Sequence, residues 1–492
     1  MEEDYIKLIF GLKLKQIRTD KELSLFGLAK LSGLSKSYLN EIENGKKYPK
    51  PDKIALLSEK LDVPYDQMVS LKLDKNLAPI GDLLQSKILK EIPLELFGIK
   101  EGTLIDIVAN APAKVNAFIS TIIEITQHYN FSSESFYLAS LRSFQEANNN
   151  YFEDLENSVL QFTKAYHLDL NEKITSKDLE EVLVEEYGYT IKKDELSKYE
   201  ALGSLRSVFV PKTKTLLLTN EVDEAQRTFI YAKELAYNFL EIKERLFTFP
   251  WIKFNTFDQV LNNFYASYFA GALLISNAKI VEYLTAIFEK DTLDTELFIK
   301  AIEAFNVSPE SFYQRLTNIL PKAFNIQNLF FLRFTHKAES NIFHLKKELH
   351  LSHQHSPHAN EANEHYCRRW VSLNVLKDIS KNKKEHEFDI QISNYEEDGT
   401  KYLVLSSATK DPFKENHYRS ISVGLLINRQ LQRKLSFLAD SKIITQNVGV
   451  TCERCIIKDC QVRQAPALIL EKEAKNRKIE LIVEELNAMF QS

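Results

Sequence analysis

Three of the four cysteines in this 492-residue chain crowd into one short stretch, CERCIIKDC, as Cys452, Cys455 and Cys460. The fourth, Cys367, stands in EHYCRRW. A C-x2-C loop lets two thiolates converge on one ion, and a distant segment can complete a tetrahedral site. Four soft thiolates suit zinc and an iron–sulfur cluster about equally well by spacing. A ferredoxin-like Cys-Pro, which would favour a cluster, is missing. The plain alternative is three reduced cysteines in a loop with an unrelated fourth. Cysteine is scarce elsewhere in the chain, so the crowding favours a metal site. A second group, HLSHQHSPH, holds His350, His353, His355 and His358, and His365 stands two residues before Cys367. These spacings suit no single helix face, and the segment reads as a solvated loop rather than a metal-loading one.

The frame that must position these groups is long and ordinary in composition. With 44% hydrophobic, 27% charged and 11% aromatic residues, the chain reads as a globular protein of several domains. A net charge of -5 excludes a polybasic protein that coats nucleic acid, though not a small basic-faced module. The N-terminal MEEDYIKLIF carries acids where a secretory signal carries bases. Runs such as YFAGALLIS fall short of the roughly 18 apolar residues a spanning helix needs. A cytoplasmic protein with no membrane partner is expected, and in a reducing compartment clustered cysteines favour metal over disulfides.

The clearest module comes first. Phe10, Leu14 and Ile17 recur at helical spacing, Ser24 can cap LFGLAKLS, and Gly33 stops it. After a short turn, Ser35 is a good N-cap for SKSYLNEIENG, with Leu39 and Ile42 on its buried face and Gly45 at its end. Two short helices joined by a Gly-containing turn make a helix-turn-helix, whose second helix enters the major groove N-terminus first. The candidate DNA contacts are Ser35, Lys36, Ser37, Tyr38 and Asn40, followed by Lys46 and Lys47. Asn can pair bidentately with adenine, and lysines suit phosphates. A helical bundle without a DNA role is the bland alternative. The string LAKLSGLSKSYLNEIENGKKYPKPDKIALLSEKLDV closely resembles the XRE (Cro/repressor-like) family over about 65 residues. Leu25–Phe26 departs from that family, which often has a phosphate-touching polar residue there.

Farther along, ITSKDLEEVLVEEYGYTIK reads as a capped helix and a strand, and SVFVPKTKTLLLT as a β-hairpin. EAQRTFIYAKELAYNFL follows. Helix, hairpin and helix in this order resemble the ImmA/IrrE-type metallopeptidase domain, in which HExxH places two zinc-binding His one turn apart around a general-base Glu. Here those positions read Lys233, Glu234, Leu235, Ala236 and Tyr237. A protonated Lys has no lone pair to give and a neutral Tyr binds zinc poorly. The helix that supplies an acidic third ligand has Asn263 and Phe264 near that place. The expectation is a former enzyme, not an active one.

HEFDIQISNYEEDGTKYLVLSSA reads as a hairpin turning at Asp398–Gly399, and Ile421 to Ile427 as a further strand of an antiparallel sheet. Leu468 to Phe490 reads as a charged helix whose stripe of Ile479, Val483, Leu486 and Phe490 docks on the core. GVTCERCIIKDCQVRQAP and CRRW, taken with the two earlier regions in this order, look like the PrpR/RamB-type bacterial regulators of short-chain acyl metabolism. That resemblance implies a C-terminal short-chain fatty-acyl sensing region and an iron–sulfur cluster. Cys452, Cys455 and Cys460 would be its ligands, with Cys367 carried over as the fourth; structural zinc is the alternative.

The reading is an α+β multidomain protein with an N-terminal all-α helix-turn-helix over 1–72. A helical scaffold over 73–168, a degenerate metallopeptidase-like α+β domain over 169–290, and a C-terminal sensor domain with an antiparallel sheet over 291–492 follow. The expected partners are a double-stranded DNA operator, a small effector of the short-chain acyl-CoA class, and a second copy of the chain, since such modules bind paired half-sites. The rivals are a zinc metallopeptidase acting on a repressor and a phage- or antitoxin-type repressor.

Overall fold

The protein is an α+β multidomain chain. Its structure, a computed structural model, describes residues 2–70, 133–250, 253–351, 364–382 and 384–490. Most of the helical scaffold expected over 73–168, including the breaks at Pro93 and Pro112, lies outside the described residues, as do His353, His355 and His358.

The chain divides into two compact units, the first being Met1–Phe144 with Asn255–Phe257. It opens with α1 (Glu2–Asp20), α2 (Leu25–Ser32), α3 (Lys36–Glu43), α4 (Pro51–Leu61) and α5 (Tyr65–Val69). The caps form where the side chains allow. Ser24 Oγ accepts the Gly27 N–H at 3.0 Å, and Gly33 takes the left-handed φ of 70° that ends α2. Phe10, Leu14, Leu28, Leu39, Ile42 and Leu57 close one small core. Helix α1 meets the end of α3 so closely that a Cβ on Gly11 would stand 2.2 Å from the Ile42 carbonyl oxygen. Beside that contact, Arg18 Nε and Nη2 donate to the two Glu43 oxygens at 2.6 and 2.9 Å. Helix α6 (Ser133–Ala147) begins in this unit and ends in the second.

The second unit opens with α7 (Glu153–Ala165) and α8 (Ser176–Glu185). Next come β1 (Thr190–Lys192), β2 (Ser207–Val210), β3 (Thr215–Leu218), α9 (Glu224–Phe239) and β4 (Thr248–Phe249). The four strands form a small sheet in the order β1-β3-β2-β4. Helices α10 (Phe257–Leu274), α11 (Asn277–Phe288), α12 (Thr295–Glu303) and α13 (Pro309–Phe324) follow. Then come β5 (Leu329–Lys337), β6 (Phe343–His350), α14 (Val371–Asn382), β7 (His386–Tyr395), β8 (Lys401–Lys410), β9 (His417–Leu426), α15 (Arg429–Lys434), β10 (Ile444–Val448) and α16 (Leu468–Phe490). The larger sheet runs β10-β7-β8-β9-β5-β6.

Alternation along these long strands gives the larger sheet two buried faces. Phe331, Ile390, Leu403 and Val423 meet the helical layer, within the same core as Leu235 of α9 and Leu316 of α13. Phe330, Phe334, Tyr402 and Val404 meet α14 on the other face. Arg315, 1% exposed, ties α13 to α7 by donating to both Glu156 oxygens at 2.5 and 2.9 Å. Tyr268 of α10 donates to the same carboxylate at 2.7 Å.

Two expectations change in detail. The sheet is antiparallel except at one edge, where β10 pairs parallel with β7. The C-terminal helix does not dock by its stripe: Ile479, Val483 and Leu486 are 51%, 48% and 46% exposed. Leu481, Ile482 and Val483 are consecutive, so the apolar groups spread around the helix and no narrow seam forms. Among the described residues no single helix is long and apolar enough to cross a membrane.

Candidate functional site

The recognition helix is presented by its buried face. Leu39, Ile42 and Glu43 point inward, leaving the N-cap Ser35, then Lys36 and Ser37 in the first turn and Asn40 one turn on, exposed along α3. Ser35 Oγ is committed to capping, accepting the Tyr38 N–H at 3.2 Å. Asn44 Nδ2 donates to Asn40 Oδ1 at 3.2 Å, which fixes the Asn40 amide at the surface. Tyr38 is half-buried, and Lys47 stands over its ring at 5.1 Å while pairing with Glu41 at 3.6 Å. Lys46 and Lys47 are exposed just past the helix. The structure therefore gathers the candidate contacts on α3 and the turn after it. Phe26 of α2 is 62% exposed, so the position where phosphate contact was doubted carries an apolar ring at the surface. The support that sequence reading missed is the Arg18–Glu43 pair. Its one signal was a glutamate four residues after Leu39, on the apolar face, where a carboxylate demands a cation.

The second constellation sits on α9. Asp223 caps the helix by accepting the Gln226 N–H at 2.7 Å, and the one-turn spacing aligns Lys233 with Tyr237. Lys233 Nζ donates to Asn263 Oδ1 of α10 at 2.5 Å, and the Tyr237 hydroxyl donates to the same oxygen at 3.4 Å. The three positions that a zinc site of this type would use thus converge, but on an amide oxygen. Glu234 is not free to act as a base. Arg245 Nη2 donates to both its oxygens at 2.6 and 2.8 Å, and the Tyr189 hydroxyl donates at 3.1 Å. Arg245 also lies 3.9 Å over the Tyr237 ring.

Lys233 is 6% exposed, and burial depresses its ammonium from the usual lysine range to about 7, with Glu234 opposing and Arg245 and Lys347 adding to the effect. Between about 7 and the unfolded value of 10.5 the unfolded chain holds more protons than the folded one. Stability therefore rises with pH across that window. Lys233→Met is expected to stabilise the protein by roughly 1–4 kcal/mol at pH 6, the range for replacing a buried ion with a hydrophobe. The gain should shrink toward pH 10, as thermal unfolding at the two pH values would show. A gain that grows with pH would contradict this burial account.

The cysteines form the third constellation. Two distant segments zip together: the Cys367 N–H donates to the Val450 carbonyl at 3.0 Å and the Cys452 N–H to the His365 carbonyl at 2.8 Å. This brings Cys367 to the CERCIIKDC loop, and all four cysteines line one small cavity with Arg368, Arg369 and Arg463. Arg463 braces the loop, donating to the carbonyls of Cys452 and Ile457 at 2.7 and 2.5 Å. The Gln464 N–H donates to Cys452 Sγ at 3.4 Å. Arg454 donates to Glu364 at 2.8 Å, and Thr451 does so at 2.6 Å, closing the rim. Gly449 has no spare room, since a Cβ there would stand 2.7 Å from Cys455 Sγ.

Burial pushes the Cys367 thiol up to about 11 and raises that of Cys455. Unliganded, these two are neutral thiols, and ligation must displace their protons. Among the described residues no three His, Cys, Asp or Glu side chains already stand in ligating array. The donor set nonetheless fits a thiolate-bound centre: four soft ligands share one cavity, and three arginines offset the negative charge such a centre carries. His365, two residues before Cys367, is committed to Glu453 at 2.8 Å. His350 lies on β6.

Comparison with known proteins bears on the first two of these constellations. Residues 14–68 match the helix-turn-helix family, and residues 184–317 match the IrrE N-terminal-like domain. The HTH-type transcriptional repressor RghR of Bacillus subtilis is 39% identical over 61 residues, which is 12% of this chain and 45% of the repressor. The uncharacterized HTH-type transcriptional regulator RghRB of the same organism is 39% identical over 62 residues, with the same shares covered. The chain thus spans less than half the length of the curated relatives it matches. A solved Mycobacterium tuberculosis transcriptional regulator shares 17% identity with a TM-score of 0.48, over 67% of this chain and 93% of that one. The chain is similar to transcriptional regulators through its first module and to the IrrE-type fold through α9 and its hairpin.

Proposed function

We propose that this chain is a sequence-specific transcription regulator that works in the cytoplasm, binds a double-stranded DNA operator as a homodimer, and is not a peptidase. The observation that carries this reading is the exposed face of α3, held by the Arg18–Glu43 pair, within the segment that matches the curated regulators. Lys36, Ser37 and Asn40 reach base edges, while Lys46 and Lys47 hold phosphates; Ser35 and Tyr38 set the helix's start and its packing. The peptidase role fails on chemistry: Lys233 and Tyr237 replace the zinc-binding histidines, and Arg245 occupies the Glu234 carboxylate.

Cys367, Cys452, Cys455 and Cys460 would hold an iron–sulfur cluster, with structural zinc as the alternative. A bound cluster supplies a one-electron redox couple, and zinc supplies rigidity alone. What this chain's own residues contribute is orientation and charge. The pairing of 365–367 with 450–452 joins the two cysteine segments, and Arg463 fixes the loop. An effector of the short-chain acyl-CoA class would act on the same unit.

Selection of the purified full-length protein against random duplexes tests the reading. One enriched motif, with half-sites about one helical turn apart, is the expected result. Recovery of no motif at moderate salt would remove DNA recognition from the account.

A further inference from the structure

Between the helical layer and the larger sheet lies a cluster of side chains whose charge is far from balanced. From the sheet, Arg333 of β5, Lys347 of β6 and Arg419 of β9 stand on the face turned toward α13, where strand register sets Arg333 opposite both Lys347 and Ile421. From the small-sheet side comes Arg206, next to β2. All four cations act on one carboxylate, Glu310 of α13. Burial alone would raise the Glu310 carboxyl, but these cations outweigh it and hold it below the usual range. Asp411 is a lesser influence, felt at Arg206.

The cations are only partly used. Arg333 Nη1 donates to Glu310 at 3.3 Å and Arg419 Nε to Thr409 Oγ1 at 3.2 Å. The Nε atoms of Arg206 and Arg333 are buried with no hydrogen-bond partner. Arg206 lies between two rings, 4.9 Å from that of Phe413 and 5.2 Å from that of Phe249. Lys233 approaches the Phe249 ring too, at 4.9 Å, so the cluster adjoins α9. Lys347 is exposed and the Arg333 side chain 25% exposed, so the cluster meets solvent on that side, while burial brings Arg206 down to about 10. Four cations gathered around one carboxylate repel one another, and a bound anion would offset that repulsion.

We propose that this cluster of Arg206, Arg333, Lys347 and Arg419 binds a multiply charged phosphate-bearing metabolite. Planar guanidinium groups take phosphate oxygens two at a time, and Lys347 adds a mobile point charge on the solvent side. Phe249 and Phe413 hold the Arg206 plane in place. Glu310 orients Arg333, and with only Glu310 and the weaker Asp411 acting against four cations, a neutral sugar or amide could not offset the excess charge. The proposal deepens the effector reading above and rests on it only for any consequence at DNA.

The test uses the full-length protein and three probes: inorganic pyrophosphate, ADP and adenosine, by calorimetry at fixed ionic strength. Saturable binding of pyrophosphate and ADP but not adenosine is expected, weakened about tenfold or more by Arg333→Gln and by Arg206→Gln. Lys472→Gln, on the exposed C-terminal helix, should leave it unchanged. ADP bound much more tightly than pyrophosphate identifies a nucleotide-bearing ligand; equal affinity identifies the phosphates alone. Should the arginine variants fail to fold, amine labelling of the wild type replaces them: saturating pyrophosphate should slow modification of Lys347 and spare its exposed neighbour Lys346. Linear, non-saturable binding, or equal effects on both lysines, overturns the site. Binding that leaves DNA affinity unchanged keeps the site and removes it as the effector site.

Discussion

Gly11→Ala is expected to abolish operator binding although Gly11 lies outside the proposed DNA contacts. The new Cβ would stand 2.2 Å from the Ile42 carbonyl oxygen and 3.0 Å from that of Glu43. Both neighbours are backbone atoms at the end of α3, so no side chain can swing aside. Helix α1 must lift away, and the Arg18–Glu43 pair, with side chains 13% and 5% exposed, is pulled apart. Breaking a buried pair costs about 3–5 kcal/mol. A module this small has little stability in reserve. Anisotropy with a selected operator should show affinity falling about a hundredfold or more, and circular dichroism should show the lost helix. Wild-type affinity would mean that α1 and α3 do not meet as described.

Cys452→Ser is expected to remove the metal proposed for the cysteine cavity. Cys452 is tied at three points: its N–H to His365, its carbonyl to Arg463 and its sulfur to the Gln464 N–H. A serine there keeps the backbone ties and loses the soft donor, so the loss reports ligation rather than unfolding. Gly449→Ala attacks the same centre with every thiol kept, because its Cβ would stand 2.7 Å from Cys455 Sγ. Iron, zinc and acid-labile sulfide measured on protein purified without oxygen separate the cases. Iron with sulfide, lost in both variants, assigns a cluster. Stoichiometric zinc with the same dependence assigns a structural ion. Metal that survives Cys452→Ser would place it elsewhere in the chain.

What the sequence made legible was local. Ser24, Gly33 and Ser35 act through their own and adjacent turns, so the helix-turn-helix could be read residue by residue. The hairpin around Pro211–Thr213 and the turn at Gly399, with φ 72°, are local in the same way. One-turn spacing set Lys233 beside Tyr237, and the sequence put Asn263 and Phe264 near the third position, but only the fold showed which of the two meets them. Partners set by the fold were beyond reach. Arg315 and Glu156 lie 159 residues apart, and no pattern near either names the other. Arg245 reaches Glu234 only because the chain after α9 turns back. The cationic cluster needs three strands, a helix and the start of β2 in register, so none of its members stood out in isolation. The C-terminal helix failed as a docking prediction because periodicity shows which residues share a stripe, not whether any surface waits to cover it.

The most direct test of the central claim, that α3 reads DNA, is base-resolved binding by Asn40→Ala. The selected operator and its single-base variants would be titrated with wild-type and variant protein. Asn40 is exposed at the middle of α3, where a bidentate contact to adenine is possible in the major groove. The account expects the wild type to discriminate at one A·T pair by about 1–3 kcal/mol and the variant to lose that preference while keeping the others. Lys46→Gln should instead weaken every sequence alike and flatten the salt dependence. An Asn40→Ala protein with wild-type discrimination at every position would contradict the assignment of α3 as the reading helix.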